Sequence, residues 1–244
     1  MAEGPNLDVL AVAPHPDDLE ILCGGTLAKL VLQGHRVAIL DLTTGEPTPR
    51  GTIESRAAEA EEARRILGIP QRLNLGLPNR ELMDCSVVIG AAGRTPAASP
   101  DHYQGQLLIE AARFWSQLTK WDDRFENTLP WRIGHFVYAC FPFDAEVRHW
   151  PGSFVIDISD TFEQKMQAVK AYRSQFDETR FDRVRHMIEA HNATAGSRCG
   201  FAYGESFHLP QPVGGADLFA LVTGAKASST APVPLPGQPP PPLK

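Results

Sequence analysis

A chain of 244 residues, 43% hydrophobic and 21% charged, is long enough to bury a sizeable core and falls in the range of one compact, enzyme-sized domain. Its net charge of -6 and the absence of a basic stripe exclude nucleic-acid binding by phosphate neutralisation. No stretch approaches the ~20 apolar residues of a membrane span, and Met1-Ala2-Glu3-Gly4-Pro5 lacks the basic start and apolar core of a secretory signal, so the expected compartment is the cytoplasm. Four cysteines, Cys23, Cys85, Cys140 and Cys199, show no Cys-x-x-Cys spacing and read as free thiols in a reducing compartment.

In chain order, Leu7 to Ala13 reads as a buried parallel strand, and Leu19 to Gln33 as a helix with apolar positions Leu19, Leu22, Leu27, Leu30 and Val31. A second strand ends near Asp41, a helix runs from Ser55 to Leu67, and a third strand spans about Arg72 to Leu75. The next apolar run, Ser86 to Gly90, follows after only about ten residues, the lower limit for a parallel crossover that contains a helix. A crossover helix does not fit there, so either the sheet lacks one covering helix, through a deletion or an error in the gene model, or the run pairs differently. Tyr103 to Thr119 reads as a helix burying Leu107, Leu108, Ala111, Ala112, Trp115 and Leu118. Strands are expected at about His135 to Phe141 and Ser153 to Ile158, and Ser159-Asp160-Thr161-Phe162-Glu163 caps a helix through about Tyr172. Asp157 and Asp160 take strand-end and capping roles in this reading. Strands alternating with helices predict an α/β fold with no internal repeat. The domain is expected over residues 1–225, and the Pro-rich segment 226–244 reads as a disordered or polyproline-like tail.

The stretch Ala13-Pro14-His15-Pro16-Asp17-Asp18-Leu19-Glu20 places a histidine and two adjacent carboxylates between the first strand and the first helix. That is the carboxyl end of a strand, where open α/β sheets bind ligands. Pro14 and Pro16 restrict the backbone and hold His15 beside the acids. His15 and one carboxylate can bind Zn²⁺, leaving the other to take a proton from bound water, whose pKa falls to ~7 on such an ion. The competing reading, in which Asp17 or Asp18 caps the helix and His15 packs, leaves the histidine and both prolines without a reason.

Together with Gly24-Gly25-Thr26, Asp41-Leu42-Thr43-Thr44-Gly45-Glu46, Gly51-Thr52-Ile53-Glu54-Ser55-Arg56 and Asn74-Leu75-Gly76-Leu77-Pro78-Asn79-Arg80, this motif resembles the PIG-L/LmbE family of zinc-dependent N-deacetylases. The likeness runs from residue 7 to about 207. It implies a Rossmann-like, mostly parallel sheet with helices on both faces. It also implies removal of an acetyl group from an N-acetylglucosamine-type substrate, a GlcNAc-malate-like or related glycoconjugate. Carried over residue by residue, His15 and Asp18 are zinc ligands and Asp17 is the general base. The family's His-Pro-Asp-His motif matches Ser99-Pro100-Asp101-His102, which makes His102 the third ligand and Asp101 a carboxylate that orients an imidazole. Ser99 stands where the family has a histidine that polarises the acetyl carbonyl or protonates the leaving amine. A serine hydroxyl is no proton source at neutral pH.

Candidate replacements for that acid are His149, in the loop Asp144 to Trp150, and His135, which opens an apolar run and also reads as structural. His35, His186 and His191 are expected to face water. Substrate contacts are expected from Arg56 and Glu46, whose side chains suit sugar hydroxyls or an anionic aglycone, and more weakly from Asn79 and Arg80. Read without the family, Arg56 is one more charge on a helix face rich in i,i+4 partners. Tyr203-Gly204-Glu205-Ser206-Phe207 resembles the family's closing motif, whose glutamate comes close to the pocket. The donor set His, Asp, His also accepts Fe²⁺ or another divalent ion. The expected partner is a small N-acetylated amino-sugar conjugate, and a homo-oligomer is compatible with the sequence. The alternative is a catalytically weakened sugar-binding relative. A nucleotide-binding reading fails because Cys23-Gly24-Gly25 lies inside the first helix and no Gly-x-Gly-x-x-Gly follows the first strand.

Overall fold

Strand β1 (Leu7–Ala13) alternates buried side chains on both faces, Val9, Ala11 and Ala13 to one side and Leu10 and Val12 to the other, as a central parallel strand must. The computed structural model describes residues 7–45, 50–76, 85–91, 99–118, 130–140, 152–215 and 218. In them β1 is flanked by β2 (Val37–Asp41) and β4 (Cys85–Ala91), both parallel to it, with Val9 opposite Val37 and Val87. β3 (Gln71–Asn74) lies outside β2, and β5 (His135–Ala139) lies beside β4, again parallel. β7 (Gly204–His208) then runs antiparallel between β5 and β6 (Ser153–Asp157), giving the order β3-β2-β1-β4-β5-β7-β6. The expected α/β fold with a mostly parallel sheet is the one found. The run 86–90 enters it parallel and central; the crossover before it, residues 77–84, where a helix is expected to be missing, lies outside the described residues.

Among the described residues, four helices cover one face of the sheet. They are α1 (Asp18–Leu32), α2 (Ile53–Leu67), α4 (Phe162–Ala171) and α5 (Glu178–Ser197), and they bury Leu19, Leu27, Ala63, Leu67, Met166 and Ile188. α3 (Pro100–Trp115) covers the other face through Ile109. Helix α2 begins at a capping box in which Thr52 and Ser55 satisfy each other's backbone N–H groups, and it ends at Gly68, left-handed at φ 73.

Two expectations are corrected. α1 is broken at Cys23, with φ -144 and ψ 21. The amides of Gly25 and Thr26 donate to the Glu205 carboxylate instead of to the preceding turn, at 3.0 and 2.7 Å. Glu205 thus caps the second half of α1 from inside the protein. In α3 the buried stripe is His102, Gly105 and Ile109, whereas Leu107 and Leu108 are 42% and 37% exposed. The helix starts at Pro100, and His102 in its first turn fixes which face looks inward.

The compact unit is Met1–Gln211; the second, Pro212–Lys244, is described only at 212–215 and 218, so the expected tail lies outside the described residues. No described helix is long and apolar enough to cross a membrane. Cys23, Cys140 and Cys199 are free thiols, the first two buried.

Candidate metal site

The chain leaves β1 at Ala13, and the next four residues form the turn that the two prolines stiffen. Asp17 occupies its last position in the left-handed region, φ 111 and ψ -27, and its side chain makes no capping hydrogen bond. The capping reading of Asp17 therefore fails. His15 donates its backbone N–H to Asp18 Oδ2 at 3.0 Å, which folds the Asp18 carboxylate back over the turn.

From the opposite face of the sheet, α3 brings its first turn to the same point. Ser99 is its N-cap and Pro100 its first residue, an arrangement that favours helix initiation. The sequence Ser99-Pro100-Asp101-His102 thus aims His102 at Asp18, with His102 Nε2 3.0 Å from Asp18 Oδ1. His15 Nδ1 lies 3.3 Å from Asp18 Oδ2, and His15 Nε2 lies 3.2 Å from Asp101 Oδ2. The two imidazoles meet edge to face, with centroids 5.4 Å apart. One ligand atom from each of His15, Asp18 and His102 falls within 4.8 Å of the others. Asp101 holds the far nitrogen of His15, which leaves Nδ1 turned toward the cluster. Ser99 Oγ donates to Asp101 Oδ2 at 3.0 Å, so the residue in the family's histidine position supports Asp101.

The surroundings are charged and buried. Arg72, in β3, donates to both oxygens of Asp41 at 2.7 and 2.8 Å and through Nη1 to Glu20 at 2.6 Å. Tyr172 also donates to Glu20 Oε1, at 3.2 Å, while Glu20 Oε2 is buried without a partner among the described residues. Arg56 is only 3% exposed; it donates to the Pro16 carbonyl and lies 3.4 Å from Asp17 Oδ1. Among the described residues, Arg56 pairs with Asp17 and Arg72 with Glu20 and Asp41, while Asp18 meets the imidazoles of His15 and His102.

Burial and these neighbours set the protonation of the group. Burial and the neighbouring Asp18 push the Asp17 carboxyl well above the usual carboxylate range, against the pull of Arg56. Burial also pushes Asp41 up, to about 6, although Arg72 opposes it. For Asp18, burial is outweighed by the hydrogen bonds from His102 and His15, which hold its carboxyl far down. Burial disfavours the charged His15 ring, but its bonds to Asp18 and Asp101 win and raise its pKa. A divalent cation fits this group because two imidazoles and a carboxylate, each with a ligand atom within 4.8 Å of the others, are a borderline donor set.

The other expected residues divide. Glu46, Asn79, Arg80 and His149 lie outside the described residues. His135 opens β5 at the end of the sheet opposite the site, because β5 is parallel to the sheet's central strands and the metal ligands follow the other end of β1. It is therefore corrected to a surface residue with no part in the site. Glu205, expected near the pocket, is wholly buried between Gly25, Thr26 and the Lys165 ammonium, which donates to it at 2.7 Å. Arg72 and Lys165 carry no signal in the sequence: a lone basic residue in a strand or helix reads as surface until its remote acid is known.

Residues 10–127 match the sequence profile of the PIG-L family, described as GlcNAc-PI de-N-acetylase. The uncharacterized deacetylase YaiS of Escherichia coli K12 is 40% identical over 67 residues, a match spanning 28% of this chain and 36% of that protein. The diacetylchitobiose deacetylase of Thermococcus kodakarensis is 30% identical over 230 residues, covering 82% of each chain. The crystal structure of the conserved protein TT1542 from Thermus thermophilus superposes with a TM-score of 0.72 at 34% identity, over 87% of this chain and 98% of that one. The matched motifs, the length shared with a deacetylase and the common fold agree, and this chain belongs to the PIG-L family.

Proposed function

We propose that the protein is a metal-dependent hydrolase that removes the acetyl group from an N-acetylglucosamine-type substrate, a GlcNAc-malate-like or related glycoconjugate. The observation that carries this reading is a buried carboxylate, Asp17, that is left out of the His15, Asp18 and His102 cluster yet stands next to it. A zinc ion, or Fe²⁺ in its place, held by those three side chains would polarise the amide carbonyl and acidify water.

The protein's own residues do the rest. Asp18 and the two imidazoles would hold the ion, and Asp101, supported by Ser99, fixes the orientation of His15. Asp17 takes the proton of the attacking water as oxygen bonds to the acetamide carbon. The same carboxyl then delivers that proton to the nitrogen as the C–N bond breaks, releasing acetate and the amine. This route needs no acid at position 99, where the serine is committed to Asp101; His149 remains the alternative donor. Glu46 and Asn79 are proposed to contact the sugar. Support for the substrate class comes from the family and from the relative whose name specifies diacetylchitobiose. The free thiols favour the cytoplasm as its compartment.

The test is primary-amine release by zinc-loaded protein from N-acetylglucosaminyl-malate, N,N'-diacetylchitobiose and free N-acetylglucosamine. Turnover of at least one, abolished by chelation, is expected. Stoichiometric metal without turnover of any would favour the weakened sugar-binding relative.

A further inference from the structure

At the end of the sheet opposite the metal cluster, the last turn of α3 and the segment leading into β5 border a cavity of about 370 Å³. That is room for a small organic molecule. Arg113, Phe114 and Gln117 line it from the α3 side, Arg132 and Ile133 from the β5 side, and Gln211 from the end of the compact unit. Among the described residues, no carboxylate lines it. Arg113 Nε is buried with no hydrogen-bond partner among those residues, and Arg132 Nε meets the neutral carboxamide of Gln117, at 3.3 Å. Glu110, the acid one turn back in α3, is already engaged: it accepts from Gln106 Nε2 at 2.9 Å and from the Tyr138 hydroxyl. The carbonyls of Ala112, Arg113, Trp115 and Ser116 are likewise satisfied within the chain, by Ser116 N, Ser116 Oγ, Leu118 N and Trp131 N.

We infer that this cavity is a second ligand site, separate from the metal cluster, which takes the carboxylate or phosphate group of a small organic molecule. A buried guanidinium nitrogen without an acceptor costs free energy, and an oxyanion supplies acceptors in the planar arrangement that guanidinium donors match. The carboxamides of Gln117 and Gln211 add neutral donors, while Ile133, 5% exposed, and Phe114 give the body of the ligand an apolar wall. Arginines that only cover a helix surface look different in this fold: Arg64 and Arg65 of α2 each pair with a glutamate one turn back, Glu61 and Glu62. The inference does not depend on the hydrolase reading, because none of these residues belongs to the proposed chemistry.

The test is calorimetric titration of chelated protein, at constant ionic strength, with phenyl phosphate, phenylacetate and the neutral control benzyl alcohol. One phenyl phosphate or phenylacetate per chain should bind saturably, and the tighter of the two tells a phosphate ligand from a carboxylate. Arg113→Met should weaken that binding about tenfold or more, and so should Arg132→Met, whose exposed position spares the fold. His102→Ala at the metal cluster and Arg65→Met on the surface of α2 should leave it within about twofold. No saturable binding, equal binding of benzyl alcohol, or an equal loss in Arg65→Met would overturn the site. A loss in His102→Ala, with Arg113→Met and Arg132→Met unchanged, would place the anion at the metal cluster and overturn it too. Self-association of the chain that disappears in Arg132→Met would overturn it in favour of an interface between copies.

Discussion

Replacing Glu205 tests the internal cap that divides α1. Glu205 and Lys165 are both fully buried; the carboxylate accepts from Gly25 N, Thr26 N and Lys165 Nζ, and the ammonium also donates to Asn192 Oδ1 at 3.1 Å. Glu205→Ala leaves an uncompensated buried ammonium, which costs about 3–5 kcal/mol. It also strips two buried amides of their acceptor, at about 1–3 kcal/mol each. These terms overlap, so we expect a loss of about 5 kcal/mol or more, a third or more of the roughly 5–15 kcal/mol that stabilises a typical domain. At about 2–4 °C per kcal/mol for a chain of this size, Tm should fall by about 10–20 °C. Lys165→Met combined with Glu205→Gln removes both charges and keeps an amide oxygen for one N–H. The pair should cost about 2 kcal/mol less than the sum of Lys165→Met and Glu205→Gln alone. Urea unfolding of chelated protein is the assay, since bound metal would add its own stabilisation. Additivity within about 0.5 kcal/mol, or a loss below about 1 kcal/mol for Glu205→Ala, would refute the reasoning.

Asp17→Ala should keep bound metal and lose turnover, whereas His102→Ala should lose both; metal and activity retained in His102→Ala would remove it from the ligand set. Metal affinity should weaken as pH falls. His15 has a raised pKa, so its imidazolium persists to higher pH than a free histidine, and the proton competes with the ion. Affinity should therefore climb as pH rises through and above about 6.5, with proton release visible by calorimetry in buffers of different ionisation enthalpy; a flat profile would contradict the assignment. Gly25→Ala should destabilise by about 1–3 kcal/mol in thermal unfolding, because the new methyl would lie 2.9 Å from Ile158.

The centre of the sheet is legible in the sequence because β1 and β2 are apolar on both faces, a pattern that only a central parallel strand explains. The metal group is legible for a different reason: His15, Asp17 and Asp18 fall within four residues at the end of β1, whereas His102 is reached only through the resemblance of Ser99-Pro100-Asp101-His102 to the family's motif. Relations between distant residues are not legible. Nothing local to Lys165 tells of Glu205 forty residues on, and Gly24-Gly25 reads as a weak spot in a helix until the carboxylate that caps the break is known. Arg72 is hidden in the same way, since its two acids come from the end of β2 and from α1. Hydrophobic periodicity mistakes the inward face of α3 because it puts Leu107 and Leu108 inside, while the geometry is set by His102.

The most direct test of the central claim is a metal titration of chelated protein, with zinc content and amine release measured on the same samples. The account predicts one ion per chain, with activity rising in proportion to occupancy and reaching its plateau at that ratio. Activity that survives complete chelation, or tight stoichiometric zinc binding that persists when His15 and His102 are both replaced by alanine, would contradict it.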